Sequence, residues 1–360
     1  MLSNMVRSLL SLHLPSLSTR LLGCLLLAGV GSALAPSAFA FDDPPAPAAL
    51  LADLGTAATR LNYEGVVVYQ RGTELSTLRV VHRGQPGPEA ERIMSLDGPA
   101  REVVRADGQV RCLFADARDA SLAQRAPSNP LRFEAGFDLE QVDELYALET
   151  LGDARIAGRS AFVVAITPLE ATRYGYLFFV DAETRMLLMS EVLDSVGNVL
   201  ERTRFVEIRF PSVVAAEALA PQLDASLAVT RSLADEPAGQ ASEVSHRAGP
   251  TSTEDFRVGW LPRGFAMRES KTAHLVDDAQ PVEHKVFGDG LAMVSVFVEP
   301  TAPTRALPVG DAPEPQQAEF TSVGAMNAVS RVEKDYRVTV VGELPRQAIA
   351  RIAASVGRTN

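Results

Sequence analysis

NYEGVVVYQRGTELSTLRVVHR, residues 62–83, is the stretch that decides the fold class. Val66, Val67, Val68 and Tyr69 are β-branched or aromatic, side chains that suit a pleated, half-buried surface. Arg71-Gly72-Thr73-Glu74 supplies a turn in which Gly72 is free to take positive φ. Leu78, Val80 and His82 then alternate with Thr77, Arg79 and Val81, so a second strand returns on the first. Similar strand-and-turn signals recur along the chain, which makes this hairpin the first unit of a large antiparallel sheet. A sheet rich in apolar side chains and poor in reactive ones suits holding a ligand better than transforming one.

Composition narrows the classes further. The 360 residues carry 34 Lys and Arg against 45 Asp and Glu, a formal net charge of −11. Such a chain repels phosphates, so no nucleic-acid partner is expected. Residues 1–40 read as an export leader: Arg7 and Arg20 give a positive front, Leu21–Leu34 is apolar, and Ala38-Phe39-Ala40 offers a small-residue cleavage site. An uncleaved anchor is the alternative. So is lipidation at Cys24, because Leu21-Leu22-Gly23-Cys24 looks like a lipoprotein box, although the apolar run continues past it. Once the leader is removed, Cys112 is the single cysteine and no intramolecular disulfide can form. With 46% hydrophobic residues, the exported chain must then be soluble through a sizeable core.

Outward from the hairpin, the first unit continues to about residue 211. Ala48–Leu61 is expected as an amphipathic helix, since Leu50, Leu54, Ala57 and Leu61 share a face. Strands are expected at 90–97, 101–106 and 109–114, a second helix at 138–148, and a meander over 155–167, 174–181, 186–193 and 199–210. Residues 212–253, rich in Ala, Ser, Pro, Asp and Glu, read as a linker that is partly helical at 213–219 and 223–233. A second unit from residue 254 offers strands at 265–274, 284–287, 291–299, 325–332 and 336–341. Pro345 then opens a final helix carrying Ile349, Ile352 and Val356.

Motifs for chemistry are missing. The chain holds no G-x-S-x-G, H-E-x-x-H, G-x-x-x-x-G-K-[ST] or G-x-G-x-x-G after a strand, so no catalytic residue and no cofactor is assigned. His274, His284, Asp277, Asp278 and Glu283 could be drawn as a metal site, but they lack regular ligand spacing and read as a solvated hairpin end, so no metal is assigned. Cys112 reads as a small buried hydrophobe, and His82 as an exposed or satisfied edge histidine. Arg79, Arg83, Arg92, Arg101, Arg105 and Arg111 either line an acid-binding face or pair with Glu89, Glu91 and Glu102 on a wet surface; the second is the plainer reading. Strands over 174–181 and 186–193 are apolar on both faces and need two-sided cover. Helices and sheet curvature can supply it, or a lipid-sized cavity can. Tyr69, Leu78, Tyr176, Phe178, Leu187 and Met189 are the candidate lining of that cavity.

Several runs carry a resemblance. Gly65–Tyr69 (GVVVY), Gly72, Ser76–His82 (STLRVVH), Glu91-Arg92, Leu96-Asp97-Gly98, Arg101–Arg105 (REVVR) and Cys112 come in the order of the periplasmic sigma-E factor regulatory proteins, the RseB/MucB family. Trp260–Phe265 (WLPRGF), Asp289–Glu299 (DGLAMVSVFVE) and Gly324–Ser330 (GAMNAVS) extend the likeness through the second unit. The resemblance implies a mainly β (α+β) protein. Its residues 41–211 form an unclosed antiparallel β-barrel of the LolA/LppX type with helices. A linker (212–253) and a smaller sheet-plus-helix domain (254–360) follow. It also implies binding to the periplasmic domain of an RseA/MucA-type anti-sigma factor, shielding it from proteolysis, with release by lipoprotein acyl chains or lipopolysaccharide. A lipid or lipoprotein carrier on the same scaffold is the alternative function. The oligomeric state stays open, a homo-oligomer included.

Overall fold

The structure, a computed structural model, describes residues 45–85, 87–115, 139–223, 229–232, 256–273, 282–301, 318–333 and 335–359. The leader, Cys24, His246 and the group His274, Asp277 and Asp278 lie outside the described residues.

The opening hairpin forms as its sequence dictates. β1 (Tyr63–Arg71) and β2 (Glu74–Arg83) pair in register from Tyr63↔His82 to Arg71↔Glu74. β3 (Ala90–Ser95), β4 (Arg101–Ala106) and β5 (Gln109–Phe114) extend the sheet on one side. On the other side lie β6 (Tyr146–Ile156), β7 (Arg159–Pro168), β8 (Gly175–Asp181), β9 (Leu187–Leu193) and β10 (Val199–Arg209). With β11 (Val229–Ser232) they make one 11-stranded antiparallel sheet, ordered β11-β5-β4-β3-β2-β1-β10-β9-β8-β7-β6. β11 and β6 end that order without pairing to each other, so the barrel is unclosed. Gly65 sits tight against β10: a Cβ there would fall 2.5 Å from the Glu207 carbonyl oxygen and 2.8 Å from the Phe205 ring.

Helices cap this sheet. α1 (Pro47–Arg60) buries Leu50, Leu51 and Leu54, and α2 (Leu139–Leu145) adds Val142 and Leu145 to the same core. β8 is buried along its whole length, as a strand covered on both faces must be. A short α3 (Ala216–Leu219) packs Leu219 beside Val81 and Ala90.

The second unit is a separate six-stranded sheet. It comprises β13 (Ala266–Ala273), β14 (Val282–Gly288), β15 (Met293–Pro300), β16 (Glu319–Val323), β17 (Met326–Val332) and β18 (Tyr336–Gly342), in the order β13-β14-β15-β18-β17-β16. α4 (Arg346–Ser355) lays Ala348, Ile349, Ile352 and Ala353 on it, and β12 (Phe256–Val258) pairs with β19 (Val356–Arg358). Among the described residues, no helix is long and apolar enough to cross a membrane.

Four expectations need correction. The helix expected through residue 148 stops at Leu145, because Tyr146–Ile156 pairs with β7 from Tyr146↔Pro168 to Ile156↔Arg159. That ladder outweighs the helical propensity of Ala147, Leu148 and Glu149. In the supposed linker helix, Val229–Ser232 is a strand bonded to β5. β16 was not expected, since its burial is slight and its partner β17 creates it. The arginine–glutamate pairs of β3 and β4 do form, yet in the interior. Arg92–Glu102 is 2.5 Å apart with both side chains nearly inaccessible, and Arg105–Glu91 is 3.2 Å apart. His82 takes the satisfied form of its two expected readings: it is buried, its Nδ1 donates to the Leu61 carbonyl at 2.8 Å, and its ring stacks on Tyr63.

Candidate functional site

Two features of the chain bring polar groups together, and they share a residue. The first is the junction of the two units. The β14–β15 turn carries Asp289, a fully buried carboxylate. Its Oδ1 accepts the backbone N–H groups of Leu291 and Ala292, which shapes the turn. Its Oδ2 faces the first unit, where Arg173 Nε donates at 2.8 Å and the Tyr146 hydroxyl at 3.2 Å. Arg173 also donates to the Arg263 carbonyl and lies over the Phe265 ring. Burial, then the Asp289 charge, pushes the Tyr146 hydroxyl above its ordinary range, so it remains a donor.

A second contact strand of this junction runs through the β16–β17 hairpin tip. Glu201 on β10 accepts the Tyr69 hydroxyl (2.8 Å), Arg71 Nε (3.1 Å) and the backbone N–H of Ala325 (3.0 Å). Gly324 at φ +60° makes the approach feasible, since a Cβ there would sit 2.6 Å from both Arg71 Cγ and Glu201 Oε1. Asn327 closes the set by donating to the Tyr174 hydroxyl and the Leu344 carbonyl, each at 2.8 Å.

Glu343, half-buried behind this tip, has its carboxyl raised above the usual value, first by burial and then by the Glu201 charge, with Arg71 opposing. The folded protein therefore binds that proton more tightly than the unfolded chain. Its stabilising contribution is present below the unfolded value of 4.5 and is lost as pH rises through the raised folded value. Glu343→Gln is accordingly expected to melt higher than the parent at about pH 7 and to show no advantage at about pH 4. Paired thermal melts at the two pH values check this.

The second feature is a cavity of about 240 Å³ over the β6–β9 end of the large sheet. Ala165, Leu177 and Leu193 line it from one strand face, as the pairs Ala165↔Leu177 and Gly175↔Leu193 require. Leu151 and Leu169 add apolar surface, and Glu149, Glu170, Asp194 and Ser195 add polar groups. Arg173 borders it too, so one side chain touches both the cavity and the domain junction. Although burial works against its charge, Asp194 is held below the usual carboxylate range by hydrogen bonds from Asn198 and from backbone N–H groups of its own turn. Another concavity, beside Phe256, Lys285 and Val356, measures only about 10 Å³ and has room for one water at most.

Of the six residues expected to line a cavity, Tyr176 alone borders this one. Leu78, Phe178, Leu187 and Met189 are buried in the main core. Tyr69 instead serves the junction through Glu201. Strand pairing puts Tyr69, Leu78, Tyr176, Phe178 and Leu187 on a common face. A register shift between Phe179 and Val180 sends Met189 to the opposite face with Phe179. Of the residues that matter at the junction, Asp289 and Asn327 lie in runs that carry the family resemblance, while Arg173 and Glu201 carried no sequence signal beyond being polar. The cavity lining contains no histidine or cysteine. His284, drawn earlier into a metal set, stacks on Phe297 and shares a hydrogen bond with Ser295. Among the described residues no three His, Cys, Asp or Glu cluster as a metal site.

With that geometry in place, the relatives can be compared. Residues 46–223 match the family model of the MucB/RseB N-terminal domain, and residues 250–357 match that of the MucB/RseB C-terminal domain. The sigma factor AlgU regulatory protein MucB of Pseudomonas aeruginosa is 33% identical over 308 residues, which is 84% of this chain and 88% of that protein. The crystal structure of MucB in complex with MucA(peri) superposes with a TM-score of 0.67 at 27% identity, covering 87% of this chain and 99% of that one. The crystal structure of MucB superposes with a TM-score of 0.56 at 28% identity, covering 87% and 98%. The chain therefore belongs to the MucB/RseB family.

Proposed function

We propose that this protein is a periplasmic regulator of an envelope-stress sigma factor. It binds the periplasmic part of a membrane-anchored anti-sigma factor and shields that part from proteolysis. Lipoprotein or lipopolysaccharide signals release it. Residues 1–40 act as the leader that delivers it, and it acts by binding, without catalysis. One observation carries the reading: the chain superposes with a TM-score of 0.67 on MucB in its complex with MucA(peri), over 87% of its length. The reciprocal requirement of linkage then applies, so a lipid signal that lowers affinity for the anti-sigma segment must itself bind more weakly when that segment is present.

The test uses purified protein and the periplasmic segment of Pseudomonas aeruginosa MucA. Calorimetric titration is expected to give a saturable complex, and added protein is expected to slow cleavage of the segment by a periplasmic protease. Absence of both effects would remove the assignment. A lipid or lipoprotein carrier is the second reading, favoured by the apolar strand face that lines the cavity. It calls for transfer of a labelled lipid between vesicles at a rate that rises with protein concentration, without any effect of the MucA segment.

A further inference from the structure

The second unit brings to the junction a carboxylate with no donor of its own. Glu343 follows β18 directly, and its backbone is held on both sides. Its N–H donates to the Met293 carbonyl at 3.2 Å, and the carbonyl of the fully buried Leu344 accepts from Asn327 at 2.8 Å. Gly342 before it fits closely, since a Cβ there would sit 2.6 Å from the Met293 oxygen. Among the described residues nothing donates a hydrogen bond to the Glu343 carboxyl.

The groups that face it belong to the first unit. Glu201 on β10 acts against its charge, and Arg71 on β1 acts for it. Arg71 is already bonded to Glu201 at 3.1 Å and is partly exposed. Glu201 also accepts from the Tyr69 hydroxyl and the Ala325 N–H, so three donors hold that carboxylate in place. Tyr174 and Tyr176 face Glu343 from the start of β8. Burial first, with the Glu343 charge adding to it, pushes both phenols up and keeps them neutral. The Tyr176 hydroxyl is itself buried without a hydrogen-bond partner, so it gives Glu343 no support. Farther off, Asp194 acts on Tyr174, and Asp289, paired with Arg173 at 2.8 Å, acts on Tyr176. Docking therefore sets two carboxylates, one from each unit, beside one guanidinium. Like charges in so poorly hydrated a place cannot both ionise freely, and a proton is the smallest change that balances them.

We propose that the junction is a proton-operated clasp: Glu343 takes up a proton as the units dock, so acid tightens the second unit against the first and neutral pH loosens it. Parting the units returns water to Glu343 and removes Glu201 from its side. In the docked protein, burial and then the Glu201 charge hold its carboxyl above the usual value of 4.5. Docking is thus tightest below that usual value and weakens as pH rises through the higher docked one. The change is at most about tenfold per pH unit, because a single proton is involved. The Arg173–Asp289 pair holds the same junction at a separate point, so Glu343 sets how tightly the units close. No partner or lipid is needed for this, and the test is separate from the regulatory reading.

The Ala325 N–H crosses the junction to Glu201, so its exchange with solvent reports docking. Hydrogen exchange is followed in the full protein and in Glu343→Gln from about pH 4.5 to about pH 7.5, with the intrinsic pH dependence of exchange divided out. Small-angle scattering is recorded on the same samples. In the parent, protection of Ala325 is expected to fall about threefold or more across this range while the radius of gyration rises. In Glu343→Gln, protection is expected to stay at or above the parent's acid level at every pH. Flat protection in the parent overturns the proposal whatever the variant does. An equal fall in both proteins also overturns it, because another group then titrates. If Glu343→Gln does not fold, an NMR titration of the Glu343 carboxyl carbon in the parent decides. A midpoint above 4.5 that coincides with the loss of Ala325 protection upholds the clasp, and a midpoint at or below 4.5, or out of step with that loss, removes it.

Discussion

Asp289→Ala is expected to destabilise the protein by about 3–5 kcal/mol, because it leaves the Arg173 guanidinium buried without its counter-charge. Arg173 is 1% exposed and Asp289 0%, so neither can turn to water instead. The carboxylate also accepts from Tyr146, Leu291 and Ala292, and each of these donors loses its acceptor in the variant. Asp289→Asn separates the two losses, since its amide oxygen can still cap the turn at Leu291 and Ala292. It should therefore recover part of the deficit, but not the part due to charge. Adding Arg173→Met to Asp289→Asn removes the stranded cation and should restore most of the remaining stability, as buried ion pairs often exchange for apolar groups at little net cost. Urea unfolding of the parent, Asp289→Asn, Arg173→Met and the double variant measures the coupling directly. Because the pair joins the two units, small-angle scattering should also show Asp289→Ala to be larger than the parent. A compact, unaltered profile together with unchanged stability would show that the pair is not the clasp.

Glu102→Ala should cost a similar amount, about 3–5 kcal/mol, for a different structural reason. Glu102 Oε1 meets Arg92 Nη2 at 2.5 Å in the interior of β3 and β4. Its other oxygen accepts the backbone N–H groups of Gln222 (2.8 Å) and Leu223 (3.2 Å). Arg92 in turn donates to the Ala218 carbonyl at 3.1 Å. The pair thus sews the segment that follows α3 onto the large sheet. Loss of the carboxylate strands Arg92 with one acceptor and frees both amides. Hydrogen exchange should therefore speed up at Gln222 and Leu223 well before it does in β1 or β8. Equal protection in variant and parent would refute the stitch.

How much of this was legible beforehand depends on the range of the interaction. β1 and β2 were readable because a turn of one glycine joins two alternating runs, and every contact lies within about twenty residues. The strands over 90–114 and 187–209 were readable for the same reason. Tyr146–Leu148 was misjudged because Ala147 and Leu148 are good helix formers, and only β7 makes the segment a strand. β11 was misjudged likewise, since its partner β5 lies more than a hundred residues away. Of the candidate cavity residues, pairing places five on one face, and Met189 lies on the other because of a bulge at Leu188, which cannot be read from a run of three apolar residues.

The sequence by itself determined the alternation of apolar side chains, the turns, the amphipathic helices and the family motifs, because these follow from backbone stereochemistry and local hydrophobic periodicity. Only the tertiary structure decided that Arg92 and Glu102 lie in the interior, that Asp289 reaches Arg173 across 116 positions of chain, and that a hollow opens over β6–β9. A charged residue carries the same letter whether water or a buried counter-ion balances it. Which of the two applies is settled by what the folded chain brings within about 3 Å.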